Sequence, residues 1–158
     1  MPLTIVEEKP MVKKIMDEIL HSVLVRASPE KVWDALATAQ GLDSWFTTGS
    51  RIDAVPNGEL FLNWEDWGPD RVTTNDTGLV LEAERGKRFV FEWHPDNPTY
   101  TTTVEFTFEP VDIGTLLRLR ERGYHATDSG LRAMLECAVG WGEALTLLKF
   151  YVEKGLVY

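Results

Sequence analysis

The sequence is poor in the residues that form covalent and metal cross-links. It has one cysteine and three histidines among 158 residues. The single thiol, Cys137, cannot form an internal disulfide, and one cysteine supplies too few ligands for a cysteine zinc site. It lies within an apolar segment, and an apolar setting raises the pKa of a thiol and makes it unreactive. We therefore expect neither a disulfide framework nor a thiol nucleophile.

Positive charge and long apolar runs are also scarce. Lys and Arg number 16 against 25 Asp and Glu, which gives a formal net charge of −9. A protein of this charge repels nucleic-acid phosphates and anionic lipid headgroups, so we expect neither a nucleic acid nor a membrane as a partner. No apolar run approaches the roughly 20 residues of a membrane span, and the N-terminus lacks a signal-peptide pattern. We expect a cytoplasmic protein.

Familiar catalytic and metal-binding motifs are missing as well. The sequence contains no G-x-S-x-G, P-loop, dinucleotide-binding or H-E-x-x-H motif. Two residue pairs could suggest a metal or acid–base site: His94 with Asp96, and Glu121 with His125. Each pair lacks a third ligand at useful spacing, whereas zinc needs three or four. We therefore interpret these histidines as solvated loop residues, assign no catalytic residue and expect no metal and no cofactor.

Aromatic residues and a helical apolar pattern are what the sequence has in quantity. It contains six Trp, seven Phe and four Tyr, and apolar residues recur at steps of three and four near the C-terminus. This spacing predicts one helix over residues 129–154, with Asp128 or Ser129 as the N-cap and Gly155 as the terminating residue. The apolar stripe, which we expect to be buried, consists of Leu131, Leu135, Ala138, Trp141, Leu145, Leu148 and Val152.

The rest of the chain has patterns typical of strands and short helices. A strand over residues 19–25 is followed by two short helices over residues 29–39, with Ser28 as the N-cap, and 42–46. Five further strands are predicted over residues 58–64, 77–84, 87–94, 100–108 and 115–122. Residues 65–75 have the composition of a polar loop, and residues 11–18 are assigned a short helical lead-in. Short turns between successive strands indicate an antiparallel meander, so the predicted fold class is α+β.

Several of these segments resemble a known superfamily. They include residues 27–36 (ASPEKVWDAL), 41–46 (GLDSWF), 89–93 (FVFEW), 114–117 (GTLL) and 140–141 (GW). Their order and spacing resemble the START-like (SRPBCC) superfamily, and more narrowly the branch named for the C-terminal domain of the activator of Hsp90 ATPase. The resemblance implies a helix-grip (START/Bet v 1-like) fold, an antiparallel sheet wrapped around a long C-terminal helix with an apolar cavity between them. We expect one START-like domain over residues 19–158, after an N-terminal extension over residues 1–18.

The resemblance also implies that the cavity holds a small hydrophobic or aromatic molecule. The residues that we expect to line it are Trp45, Leu62, Trp64, Phe91, Trp93, Phe106, Leu119, Ala138, Trp141 and Gly142. The alternative is that these rings only fill a solid core, as aromatic residues at strand and helix spacing usually do. Gly142 is interpreted as making room for the ligand, because a glycine inside a helix costs about 1 kcal/mol relative to alanine.

Two other classes of function stay open at this point. A module that contacts a chaperone such as Hsp90 would show a closed core and an exposed apolar patch. A cyclase-like or hydrolase-like enzyme would direct a buried carboxylate or histidine into the cavity. The sequence favours binding over catalysis without deciding between them. We do not expect tight binding to Hsp90, and a homodimer is compatible with the sequence.

Overall fold

The architecture is one antiparallel sheet that packs against a long helix and two short ones. The computed structural model describes residues 12–158, so the first eleven residues, the larger part of the expected N-terminal extension, lie outside the described residues. The strands are β1 (Ile19–Val25), β2 (Arg51–Ile52), β3 (Glu59–Trp67), β4 (Val72–Glu84), β5 (Arg88–Trp93), β6 (Thr102–Val111) and β7 (Gly114–Arg122). The helices are α1 (Pro29–Leu36), α2 (Ala39–Trp45) and α3 (Asp128–Lys154).

The sheet has the order β1-β7-β6-β5-β4-β3-β2, and every pairing in it is antiparallel. The predicted α+β class and helix-grip architecture are therefore confirmed. Alternate side chains of the central strands point to one face and are buried there. The core on this face includes Val80, Phe89, Phe91, Val104, Phe106, Leu117 and Leu119. Strand β2 escaped prediction because two residues are too few to show an alternating pattern.

The segment predicted as a polar loop over residues 65–75 is instead the outer end of the β3–β4 hairpin. Strands β3 and β4 continue pairing as far as Trp67 and Val72. The register shifts between Trp64 and Trp67, and Asp66 has a φ of 54°. This bulge interrupts the alternation of side chains. Most of residues 65–75 are also exposed, so the sequence lacks the pattern of a half-buried strand. This outer end of the hairpin extends the sheet toward α3.

Helices α1 and α2 are fixed by side-chain caps. Ser28 and Thr38 accept hydrogen bonds from backbone N–H groups in the first turns of α1 and α2, respectively. The indole N–H of Trp45 donates to the carbonyl oxygen of Ala35 at 2.8 Å, which ties the end of α2 to α1. This anchoring leaves the next residue, Phe46, in contact with the rings of the β3–β4 hairpin.

The long helix α3 has the predicted extent to within one residue. Its N-cap is Thr127, whose hydroxyl oxygen accepts a hydrogen bond from the N–H of Gly130. It ends at Gly155, which has the left-handed conformation expected of a C-terminal cap, with a φ of 68°. In residues 12–158, no helix combines the length and the apolar composition that a membrane crossing needs.

The buried stripe of α3 differs from the predicted one in the first half of the helix. Trp141, Leu145 and Leu148 are buried, but Ala138 is exposed, and Leu131 and Leu135 are 49% and 60% exposed. At 3.6 residues per turn, those three exposed residues lie about 80–140° around the helix from the centre of the buried face. The residues that face the sheet in this half are Gly130, Ala133, Met134 and Cys137.

The described part of the N-terminal extension is not helical. Residues 12–18 contain no helix, in contrast to the predicted lead-in. Instead, the N–H of Ile15 donates to the carbonyl oxygen of Tyr124 at 2.8 Å, and the N–H of Ala126 donates to that of Lys13 at 2.7 Å. The short segment thus satisfies backbone groups of the connection between β7 and α3, which a helix could not do.

Candidate functional site

A cavity of about 420 Å³ opens to solvent where α3, the β3–β4 hairpin and the end of β5 meet. Five aromatic rings line it: Phe46, Trp64, Trp67, Trp93 and Trp141. The ring centroid of Phe46 lies 5.3 Å from that of Trp64, 5.8 Å from that of Trp67 and 5.6 Å from that of Trp141. Because these rings pack in tilted and edge-to-face contacts with one another, the wall is formed without a ligand.

Glu121 is hydrogen-bonded to two of these rings from the protein interior, on the side away from the cavity. It is fully buried on β7 and does not itself line the cavity. Its carboxylate accepts hydrogen bonds from the indole N–H groups of Trp93 at 2.8 Å and Trp141 at 2.7 Å, and from the hydroxyl of Thr102 at 2.8 Å. Burial raises the pKa of this carboxyl, although the three donated bonds oppose the rise. The cluster fixes the orientation of both indole rings.

The position of Glu121 follows from strand geometry. Side chains along β7 alternate, and Leu117, Leu119 and Glu121 share the buried face. The sequence suggests Glu121 only as one member of a possible pair with His125, a pair that we interpret as unimportant. That pair does not form, because the partners of Glu121 are two tryptophans and a threonine.

Cys137 lines the cavity and has the chemistry of a buried thiol. Burial, followed by the neighbouring Glu121 carboxylate, raises its pKa to about 12. The thiol is therefore protonated at neutral pH and a poor nucleophile, as the sequence pattern predicts. Burial also raises the pKa of Tyr124, which is fully enclosed beside the same carboxylate.

His94 lies at the rim of the cavity and pairs with Asp76, not with Asp96 as considered from the sequence. The backbone N–H of His94 donates to one carboxylate oxygen of Asp76 at 2.6 Å, and Nδ1 lies 2.9 Å from the other. Nδ1 also lies 3.0 Å from the carbonyl oxygen of Thr77. Both neighbours of Nδ1 are acceptors, so Nδ1 carries a hydrogen and donates it.

Asp96 occupies a second position on the rim. Its carboxylate accepts hydrogen bonds from the hydroxyl of Tyr100 at 2.7 Å and from the hydroxyl of Ser129. The ring of His125 stacks on that of Tyr100 with centroids 3.5 Å apart. Within residues 12–158, no group of three or more potential ligands is placed to hold a metal ion.

The expected lining residues occupy three kinds of position. Trp64, Trp93 and Trp141 line the cavity. The residues that pack in the core beneath it, around a void of only about 20 Å³, are Trp45, Leu62, Phe91 and Phe106. Leu119 is also buried, whereas Ala138 is exposed on the far side of α3. The interior between sheet and short helices is thus filled, and the open space lies at one end of the sheet.

Most of the residues that line the cavity were not expected from the sequence, and three of them shape the aromatic wall and the side formed by α3. Phe46 and Trp67 complete the aromatic wall, and Gly140 occupies the place in α3 that was assigned to Gly142. A Cβ atom at either glycine would meet open space, but only Gly140 borders the cavity. Placing Trp67 required the strand to continue beyond Trp64, which the bulge conceals in the sequence.

Several solved structures of other proteins have the same architecture as this chain. Among solved structures, the Aha1 dimer from Colwellia psychrerythraea is 24% identical with a TM-score of 0.71, over 89% of this chain and 98% of that chain. DynU16, a protein of the dynemicin biosynthetic locus, is 19% identical with a TM-score of 0.73, over 90% of this chain and 50% of that one. CalU16 from Micromonospora echinospora is 20% identical with a TM-score of 0.67, over 91% and 85%.

At these identities, the solved structures share the fold with this chain. No curated protein is a significant match to the sequence. A family model described as Activator of Hsp90 ATPase homolog 1-like protein matches residues 26–153, which is most of the chain. The chain therefore belongs to the Activator of Hsp90 ATPase homolog 1-like family.

Proposed function

We propose that the chain binds a small hydrophobic or aromatic molecule in the cavity beside α3, as a cytoplasmic binding protein. The observation that carries the proposal is an open space of about 420 Å³ walled by five aromatic rings. Ligand sites typically measure about 300–1,000 Å³ and are lined mainly by apolar and aromatic side chains. A ligand that covers these rings removes apolar surface from water, and this burial favours binding by about 25 cal/mol for each Å² of apolar surface.

The fixed orientation of the wall supports the same proposal. Trp93 and Trp141 are held by hydrogen bonds to buried Glu121, so little ordering of these rings is needed when a ligand enters.

The arrangement supports binding better than catalysis. Among residues 12–158, the one fully buried carboxyl, that of Glu121, is engaged by three donors and does not border the cavity. The thiol of Cys137 is protonated at neutral pH. DynU16 is described as a protein of a biosynthetic locus, which fits a fold used around small organic molecules but assigns this chain no reaction.

The test is an NMR titration of the indole N–H signals with 1-naphthylmethanol, a neutral aromatic probe. We expect saturable shifts at Trp64, Trp67, Trp93 and Trp141, whose rings line the cavity. Trp33 is buried away from the cavity, where its ring packs against Phe89 and Phe108, and its signal serves as the internal control. The proposal is overturned if no indole signal shifts saturably, or if the signal of Trp33 shifts as much as the others.

We also propose that the chain forms a homodimer through the exposed apolar face of α3. Leu131, Leu135 and Val139 are 49%, 60% and 75% exposed on that face. The Colwellia relative of the same fold is described as a dimer. Substituting Glu for Leu135 should shift the mass measured by sedimentation toward that of a monomer, whereas Ile113→Glu, at an exposed turn, should not. A monomeric wild-type chain at 100 µM would refute this proposal.

A further inference from the structure

The cavity has an acidic lining. Three carboxylates, from Asp76, Asp96 and Glu136, line it together with the aromatic rings. In the part of the chain that the structure describes, no lysine or arginine lines this space. The apolar walls and the absence of cations set this cavity apart from a site for an anion, which needs basic side chains or backbone N–H groups.

Two of these carboxylates, those of Asp76 and Asp96, accept hydrogen bonds, and none of the three forms an ion pair with a lysine or arginine within residues 12–158. Asp96 is bonded by the neutral hydroxyls of Tyr100 and Ser129. Glu136 forms no ion pair with any residue between 12 and 158. Of the three carboxylates, only Asp76 contacts a basic side chain within residues 12–158, that of His94, so Asp96 and Glu136 are left without a cationic partner there.

The aromatic rings add an attraction of the same sign. The faces of tryptophan rings carry partial negative charge, and an organic cation within about 6 Å of a ring centroid is attracted to it. The four indoles and one phenyl ring around this space can contact both the apolar body of a ligand and a cationic group attached to it. At long range, the formal net charge of −9 draws cations toward the protein and slows the approach of anions.

We propose that the natural ligand is an amphipathic organic cation, an amine with an aromatic or aliphatic body. Its body lies against the rings of Trp64, Trp93 and Trp141, and its ammonium group lies at the rim near Asp96 and Glu136. This inference rests on the proposed ligand-binding function and deepens it by assigning the charge of the ligand. The rings and the carboxylates together favour a cation with an apolar body over a neutral or anionic ligand.

The test compares three probes that share a naphthalene ring: 1-naphthylmethylamine, 1-naphthylmethanol and 1-naphthoate. Their dissociation constants for the full chain are measured at pH 7 from the indole N–H shifts. We expect the amine to bind at least tenfold more tightly than the alcohol, and the carboxylate to bind most weakly. Raising the salt concentration from 20 to 300 mM should weaken binding of the amine and leave that of the alcohol unchanged.

A matched pair of variants separates the local charge from the net charge. Glu136→Gln removes one carboxylate from the cavity, whereas Glu143→Gln removes one from the same helix outside the cavity; both residues are exposed. We expect the first to weaken amine binding about threefold to tenfold without affecting the alcohol, and the second to change neither. Equal affinities of amine and alcohol for the wild type would overturn the inference and leave the proposed function standing. If none of the three probes binds, the proposed function and the inference both fail.

Discussion

Glu121 places its carboxyl group between the indole rings of Trp93 and Trp141, in a site closed to solvent. Its pKa is raised above the usual value because burial disfavours the charged form. The native state therefore holds a proton that the unfolded state releases as the pH rises above about 4.5, the ordinary value for glutamate. The contribution of Glu121 to stability is complete below that pH and is lost as the pH rises through the native pKa.

Replacing Glu121 with Gln should reveal this dependence. Glutamine turns an NH2 group, which cannot accept a hydrogen bond, toward at least one of the three donors, whereas the hydroxyl oxygen of the protonated carboxyl can still accept one. The variant should therefore lose about 1–3 kcal/mol of unfolding free energy at pH 4.5. The deficit should shrink toward pH 8, because the wild type loses stability over this range and the uncharged glutamine does not. Urea unfolding at a series of pH values measures the difference in unfolding free energy between the two proteins. The contributions of the other titrating groups cancel in this difference, because both proteins share them. A deficit that grows with pH would show that the native carboxyl is ionised more readily than the unfolded one.

At the scale of single elements, α3 offers a matched pair of glycines. A Cβ atom at Gly140 or Gly142 would meet open space, and only Gly140 lines the cavity. Leucine at either position should stabilise the helix by about 0.5–1 kcal/mol, since glycine is a poor helix former. The leucine side chain at position 140 should also fill the space between α3 and the hairpin. We expect Gly140→Leu to weaken binding of 1-naphthylmethanol at least tenfold and Gly142→Leu to leave it unchanged.

Thermal unfolding and the indole titration, applied to both variants, read out the two effects separately. Similar increases in melting temperature with different affinities would place the ligand beside Gly140. If both variants bind the probe like the wild type, the ligand lies elsewhere and the cavity has no part in binding.

The helices and strands differ in how far the sequence determined them. β1 and α3 were predicted nearly to the residue, because their apolar patterns agree with the caps and turns that bound them. The face of α3 was predicted correctly only in its second half, since residue spacing identifies an apolar stripe but not which of two neighbouring stripes the sheet covers. Leu131 and Leu135 belong to the uncovered stripe.

The site was less predictable than the fold because it depends on packing between distant elements. Three of the expected rings border the cavity, whereas Trp45 and Phe91 fill the core. Strand alternation and helical spacing place these rings on buried faces, and neither pattern can tell a ring in a solid core from a ring beside an open space. Trp67 was hidden by the bulge in β3, an irregularity that has no simple sequence signature.

At the scale of the whole molecule, the family description raises the question of Hsp90. A stable interface between proteins buries about 1,200–2,000 Å² in total and usually centres on aromatic or arginine anchors. Two arginines on the outer face of β7 are engaged within the chain: Arg118 lies 3.6 Å from Glu109, and Arg120 forms a two-pronged ion pair with Glu18 at 2.6 and 2.7 Å. The aromatic rings of the cavity are recessed and cannot meet a large flat partner.

We therefore predict that the chain neither binds Hsp90 tightly nor stimulates its ATPase. The measurement is ATP turnover by the Hsp90 of the same organism, at physiological salt, during titration with the purified chain. Turnover should stay at its basal rate, because β7 carries no aromatic residue that could serve as an anchor and its two outward arginines already have partners within the chain. A saturable rise that is abolished by Arg118→Ala with Arg120→Ala, but retained in Trp141→Phe, would instead identify the outer face of β7 as a chaperone contact. A rise that is lost only in Trp141→Phe would connect the cavity itself to Hsp90, and the ligand would then act as a regulator of that contact.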